Sequence, residues 1–299
     1  MSSSRANRRG ILAIVAATAT FTTNDTIVKI VARTCPLGEV LFVRGLMTCL
    51  LVGSVLASLG HFSALGAALN RVVVIRSAFE ALAAIFFTSA LIHLPLAELS
   101  TIILISPLII TALSVLLFGE IVYWRRWTAI AVGFVGALFV VKPTPWAFDA
   151  WALLGVLCAF ASASRDLLTR RLDPGIPTIV VSFMAAVAVT IAGLLLGLWE
   201  QWRMLQPGEL GLLAVAAVFM ATGNFLVVVA FRGPEISAVA PFRYSILPWA
   251  GIAGFTVFSE IPDPWSLIGA ALIVGSGVYA LHREAVRGRE VASRATPGT

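Results

Sequence analysis

The chain has 299 residues, 59% hydrophobic and only 12% charged, with a mean hydropathy of +0.97. Soluble domains carry about 25% charged and roughly 45–50% apolar residues, so this composition excludes a water-soluble globular protein and points to a bilayer. The net charge of +6 sits on arginines flanking apolar runs, with no basic stretch interleaved with aromatics, which argues against nucleic-acid binding.

Ten apolar segments follow one another, each near the roughly 20 residues that cross a hydrocarbon core. The first, 10–32, follows the basic stretch M-S-S-S-R-A-N-R-R-G; it exceeds the roughly 7–15-residue apolar core of a signal peptide and reads as a retained helix. It carries Asn24, Asp25 and Lys29. The second, 38–60, holds Glu39 and Arg44, and the third, 72–92, holds Arg76 and Glu80. The fourth, 96–118, opens with Glu98 and closes on F-G-E (118–120). Next come 126–143, 149–171 with Arg165, Asp166 and Arg170, and 177–199 with Gly193-x-x-x-Gly197, a weak close-packing signal. The eighth, 209–231, contains Gly223-Asn224. The ninth, 235–258, contains P-F-R-Y-S-I-L-P (241–248), whose prolines predict a non-ideal helix, and closes on F-S-E (258–260). The tenth is 265–283, and a disordered tail is expected from there. Pro and Gly mark the intervening turns.

Most arginines, including Arg8, Arg9, Arg125, Arg126, Arg171 and Arg283, fall on one side of the spans, and Arg33, Lys142 and Arg203 on the other. This asymmetry predicts cytoplasmic termini and an even number of spans. A near-constant offset links the halves: Asp25, Lys29 and Pro36 recur 141 residues later as Asp166, Arg170 and Pro177, and Phe118–Glu120 recur as Phe258–Glu260. Each unit holds five spans, and an odd number inverts the second unit. The fold class expected is therefore all-α: ten transmembrane helices as two inverted repeats, residues 1–145 and 146–284, with a cytoplasmic tail at 285–299. Substrate would bind near the midplane and reach either side by alternating access.

The paired five-span halves, F-G-E and F-S-E, with N-D-T-I-V-K (24–29), L-P-L-A-E (94–98), S-P-L (106–108), F-G-E-I-V-Y-W-R-R-W (118–127) and A-V-A-P-F-R-Y (238–244), resemble the drug/metabolite transporter superfamily, EamA type. Within it the chain looks similar to amino-acid exporters of the YddG kind. The resemblance implies a basket of helices around a central cavity, the fifth and tenth spans being peripheral, and makes the acid closing the fourth and ninth spans a fold marker.

Charge inside a span costs about 2.5–3.5 kcal/mol at helix centre, so each charged group needs a reason. Asp25 and Lys29, four apart on one helix face, can neutralise each other. They then act either as a gate or substrate contact, or as a structural pair with Lys29 reaching the interface. Asp166 and Arg170 are their counterparts and gating candidates, although Arg170 also suits a positive-inside anchor. Arg44 faces Ala185 in the repeat, and Arg76 and Glu80 face Ala217 and Ala221, so these charges belong to one half alone. A guanidinium suits a carboxylate. Glu39 is expected on another face, closer to water. The candidate substrate contacts are thus Asp25, Arg44, Arg76, Glu80, Asn224, Arg243, Tyr244 and Trp249, the alternatives being interhelical hydrogen bonding for Asn224 and lipid-facing or packing roles for the aromatics.

No G-x-x-x-x-G-K-[ST] phosphate loop and no H-E-x-x-H occurs, and the three cysteines and three histidines have no metal spacing. The expectation is a cofactor-free inner-membrane transporter, not an enzyme, working in lipid as a monomer or weak homodimer. It would export small metabolites, amino acids first and aromatic ones among them; the alternative is uptake of a vitamin, nucleoside-like metabolite or drug.

Overall fold

The computed structural model describes residues 2–61, 65–118, 124–141, 150–169, 171–173, 175–231 and 239–295. Among the described residues every regular element is helical. A bilayer imposes this, because lipid offers no hydrogen bonds and each backbone group must be satisfied within its own segment or in a closed barrel. In chain order the helices are α1 (Ser2–Ala32), α2 (Leu37–Ser58), the single turn α3 (Leu65–Ala68), α4 (Arg71–His93), α5 (Leu96–Ile103), α6 (Ser106–Phe118), α7 (Trp124–Val141), α8 (Ala150–Thr169), α9 (Thr178–Gly197), α10 (Pro207–Phe231), a 3-10 helix (Ala240–Ser245), α11 (Ile246–Phe258) and α12 (Pro264–Ala295). Seven helical stretches are long and apolar enough to cross a membrane, and shorter apolar helices cover Trp127–Val141 and Pro264–Tyr279. Each of the ten apolar segments carries one of these helices or a consecutive pair.

Local chemistry sets the boundaries. Pro36, Pro95 and Pro177 occupy the position before α2, α5 and α9, where a residue without an N–H sacrifices no helical bond. Asn70 caps α4 by accepting the Val73 N–H at 2.9 Å. The fourth segment is not the single helix expected. It breaks between α5 and α6, where Leu104 and Ile105 bond three residues back. Pro107 has no N–H to give the Ile103 carbonyl, and the Ser106 hydroxyl supplies that bond instead at 2.6 Å. The ninth segment breaks at the corresponding place, as a 3-10 turn where the two prolines predicted an irregular helix. α6 and α11 then each run for 13 residues. At the carboxyl end, α12 continues to Ala295, past the start of the expected disordered tail, through a stretch rich in Ala, Arg and Glu and free of proline.

The helices pack as α1 on α10, α4 on α8, α2 on α9, α7 on α12 and α5 on α11. The largest apolar cluster joins Val28 and Val31 of α1, Leu91 of α4, Leu96, Leu99 and Ile102 of α5, and Ile273 of α12. Large apolar side chains such as Leu50, Leu116, Phe225 and Phe255 point outward, as befits a lipid solvent. The α2–α9 seam is built on glycine. A Cβ on Gly193 would meet the Phe42 nitrogen at 2.5 Å and the Leu41 backbone at 2.9 Å, and one on Gly45 would strike Thr190. Gly193-x-x-x-Gly197 therefore does mark a close approach, with Gly197 against the Trp202 indole and Gly38.

A methyl group at the seam is expected to force the backbones apart. Gly193→Ala should lower the thermal midpoint in detergent by the equivalent of about 1–3 kcal/mol, the usual range for overpacking. Gly211→Ala, where a Cβ has open space, should not.

Candidate functional site

Two groups of polar residues lie inside the bundle and a third closes one end. The third sits at the end carrying the α1–α2 turn. Lys29 is 2% exposed. Its ammonium donates to Glu260 Oε1 at 2.6 Å and to the Leu94 carbonyl at 2.6 Å, and lies 5.0 Å from the Phe258 ring centre. Glu260 uses its other oxygen to accept the Leu96 N–H, at 2.8 Å, which begins α5. Ser259, at φ 57°, is the one non-glycine residue with positive φ among the described residues, and this left-handed turn ends α11 just before Glu260. The expected Asp25–Lys29 pair does not form, and Lys29 is buried instead of extending to the surface. Both are corrected by the same fact: a partner 231 residues away and a backbone carbonyl already satisfy the ammonium.

The first interior group is Asn24, Asp25 and Arg44. Asn24 Nδ2 donates to Asp25 Oδ1 at 2.8 Å, and Asn24 Oδ1 accepts from Arg44 Nη1 at 3.3 Å. Asn24 and Arg44 are buried and Asp25 is half-buried. Arg44 has no carboxylate partner within ion-pair distance among the described residues; Asp25 and Glu80 are the acids near enough to act on it through space.

The second interior group joins α4 to α8. Glu80 accepts from Arg76 at 3.1 Å and from Arg165 at 3.1 Å, and Arg165 also pairs with Asp166 at 2.9 Å. Arg76 Nε donates to Thr169 at 3.3 Å. Arg165, hard to explain from sequence, is therefore the cation between two acids. One Arg76 nitrogen and the Ser77 hydroxyl are buried without a partner. Half-buried Phe79, Phe86 and Phe87 pack around Cys158 on the same two helices.

The other residues singled out from sequence lie apart from these groups. Asn224, Arg243 and Trp249 are exposed on α10, the 3-10 helix and α11. Tyr244 is 9% exposed and lodges against Gly277 of α12, its hydroxyl unpartnered. Arg170 and Glu120 lie outside the described residues. Glu39 is not near water: it is 3% exposed and accepts the Arg203 N–H at 3.4 Å. Arg203 also donates to the Thr34 carbonyl, Cys35 Sγ and Glu209, tying the α1–α2 turn to the start of α10. Sequence reasoning noted Asn24 in the apolar run but did not make it a site candidate, although its place beside Asp25 was a visible signal. No group of three or more His, Cys, Asp or Glu able to hold a metal ion occurs among the described residues.

Apolar helices with charge gathered in the bundle interior define a multi-pass protein of the inner membrane. The model of the EamA-like transporter family matches residues 8–142 and again 149–281, and the chain belongs to that family. It is similar to the pseudopaline exporter CntI of Pseudomonas aeruginosa, 28% identical over 279 residues, 89% of this chain and 94% of that protein. It is also similar to the S-adenosylmethionine uptake transporter of Rickettsia felis, 29% identical over 200 residues, 66% of this chain and 68% of the relative. A riboflavin transporter of Vibrio cholerae is 32% identical over 190 residues, 63% of each chain. One crystal structure superposes with a TM-score of 0.65 at 17% identity, covering 93% of this chain and 97% of its own, so the fold is shared. Family membership makes membrane transport, not catalysis, the activity.

Removing one member of a buried ion pair strands the other, at a cost of about 3–5 kcal/mol. Lys29→Met and Glu260→Met should each lower the thermal midpoint sharply. The double variant should recover part of the loss in a double-mutant cycle.

Proposed function

We propose that this protein is a secondary transporter exporting a small zwitterionic metabolite, an amino acid or a compound built on one, by alternating access between two inverted five-span halves. The observation that carries the reading is Arg44, a guanidinium 8% exposed whose one hydrogen bond among the described residues goes to a neutral amide. A buried guanidinium with donors to spare suits a bidentate carboxylate. Asp25 beside it suits an ammonium, and Phe79, Phe86 and Phe87 offer apolar walls for a side chain, aromatic ones included.

Several features support the inverted arrangement. The family model matches twice, and the pairs of packed helices persist when the halves are exchanged. Replacing α1 by α8, α4 by α10 and α2 by α9 turns α1–α10 into α8–α4 and leaves α2–α9 itself. Cys49 and Thr190, equivalent under the 141-residue offset, touch at 3.5 Å, as an axis between α2 and α9 would bring about. The arginine bias favours cytoplasmic termini.

A second reading, uptake of a vitamin or nucleoside-like metabolite, draws support from the riboflavin and S-adenosylmethionine relatives. Counterflow in proteoliposomes separates the two. Labelled amino acids should exchange saturably and riboflavin should not; the reverse outcome would replace the first reading by the second. Arg44→Ala should reduce amino-acid flux about 10–100-fold, the worth of a charge-assisted hydrogen bond, with folded protein retained. Unchanged flux would remove Arg44 from the site.

A further inference from the structure

Asn24 is 2% exposed and belongs neither to the apolar core nor to the ion pair that closes the end of the bundle. Both ends of its amide are engaged. One donates to an acid and the other accepts from a base. The assignment of nitrogen and oxygen is fixed by charge, because the flipped amide would set N–H against guanidinium and oxygen against carboxylate. Asp25 and Arg44, neighbours in a medium of low dielectric, have every electrostatic reason to pair directly. They do not, and the amide stands between them.

The consequence is unused valence. A guanidinium has five donors and a carboxylate about four acceptor sites, and here the amide takes one of each. The second half shows the contrast. At the position 141 residues after Asn24 stands Arg165, which pairs directly with Asp166, the counterpart of Asp25, at 2.9 Å. There the acid is closed by its own neighbour, and Ala185 stands where the first half has Arg44.

We propose that Asn24 is a spacer, holding Asp25 and Arg44 apart as a preformed receptor for the ammonium and carboxylate of one α-amino acid. This deepens, and rests on, the zwitterionic-substrate reading above. The receptor selects by leaving something unpaired: a ligand with only an amine strands Arg44, and one with only an acid strands Asp25. Asn24 is thereby a specificity-determining residue without being the group that binds either charge most strongly.

The test uses the purified full-length protein. The standard L-amino acids are screened by thermal shift, and the tightest is compared with its decarboxylated amine and its deaminated acid. Wild type should prefer the amino acid to each analogue by about tenfold or more, one charge-assisted hydrogen bond's worth. Asn24→Asp, nearly isosteric, places an acid against Arg44. It should weaken the amino acid by about tenfold while sparing the amine, so that their ratio falls toward one. Asn24→Leu lets Asp25 and Arg44 close on each other and should flatten all three affinities. If no amino acid binds wild type, the zwitterionic reading and the spacer fall together. If wild type binds amino acids but prefers them to neither analogue, or a folded Asn24→Asp keeps the wild-type ratio or weakens all three ligands equally, the spacer alone is overturned.

Discussion

A buried ammonium organises one whole end of this molecule. Lys29 must be paired where it lies, because neither lipid nor apolar side chains can solvate it. Its requirements reach two distant stretches of chain: the α4–α5 link, through the Leu94 carbonyl, and the acid after α11, which in turn accepts the first N–H of α5. The left-handed residue Ser259 follows from the same demand, since the chain must turn sharply for Glu260 to point back into the bundle. Four helix ends are thus set around one charge, and Ile27, Val28, Val31 and Ala32 of α1 pack the core beside it.

Spacing along the sequence was enough to place the ten apolar segments, because hydrocarbon thickness leaves little freedom in their length. The recurring motifs were legible for a similar reason: Asp, Lys, Pro and Glu are rare in apolar runs and stand out. Partners far apart in the chain were not legible. The i,i+4 rule offered Asp25 to Lys29, but a helix face says nothing of what a neighbouring helix brings, and Glu260 comes from 231 residues away. Glu260 was recognised as a marker of the fold, without the ion pair that gives it its role. Tyr244 was read correctly as part of an irregular helix and yet lies against α12. A 3-10 turn advances three residues per turn instead of 3.6, which rotates side chains away from the face an α-helix would present. The break before Pro107 could have been inferred from Ser106-Pro107, where a hydroxyl stands ready to replace the lost N–H.

The named relatives carry pseudopaline, S-adenosylmethionine and riboflavin, ligands of quite different chemistry. Ligands so different on related chains put the choice of ligand in side chains and not in the fold. In this chain the frame-building features recur in both halves: prolines before α2 and α9, breaks before α6 and α11, and glycine where helices touch. Arg44, Arg76 and Glu80 have alanine counterparts, whereas the second half contributes Arg165 and Asp166, so the interior charges differ between the halves.

The three thiols have a practical consequence. Cys35 lies under Arg203 at the α1–α2 turn, Cys49 against Thr190 on the α2–α9 seam, and Cys158 against the Ala83 carbonyl on the α4–α8 seam. Each reports on a different joint, and none is tied up in a disulfide. Alkylation by a small maleimide, followed residue by residue as substrate is added, would therefore register which joint parts during the transport cycle and which stays shut, with no cysteine introduced.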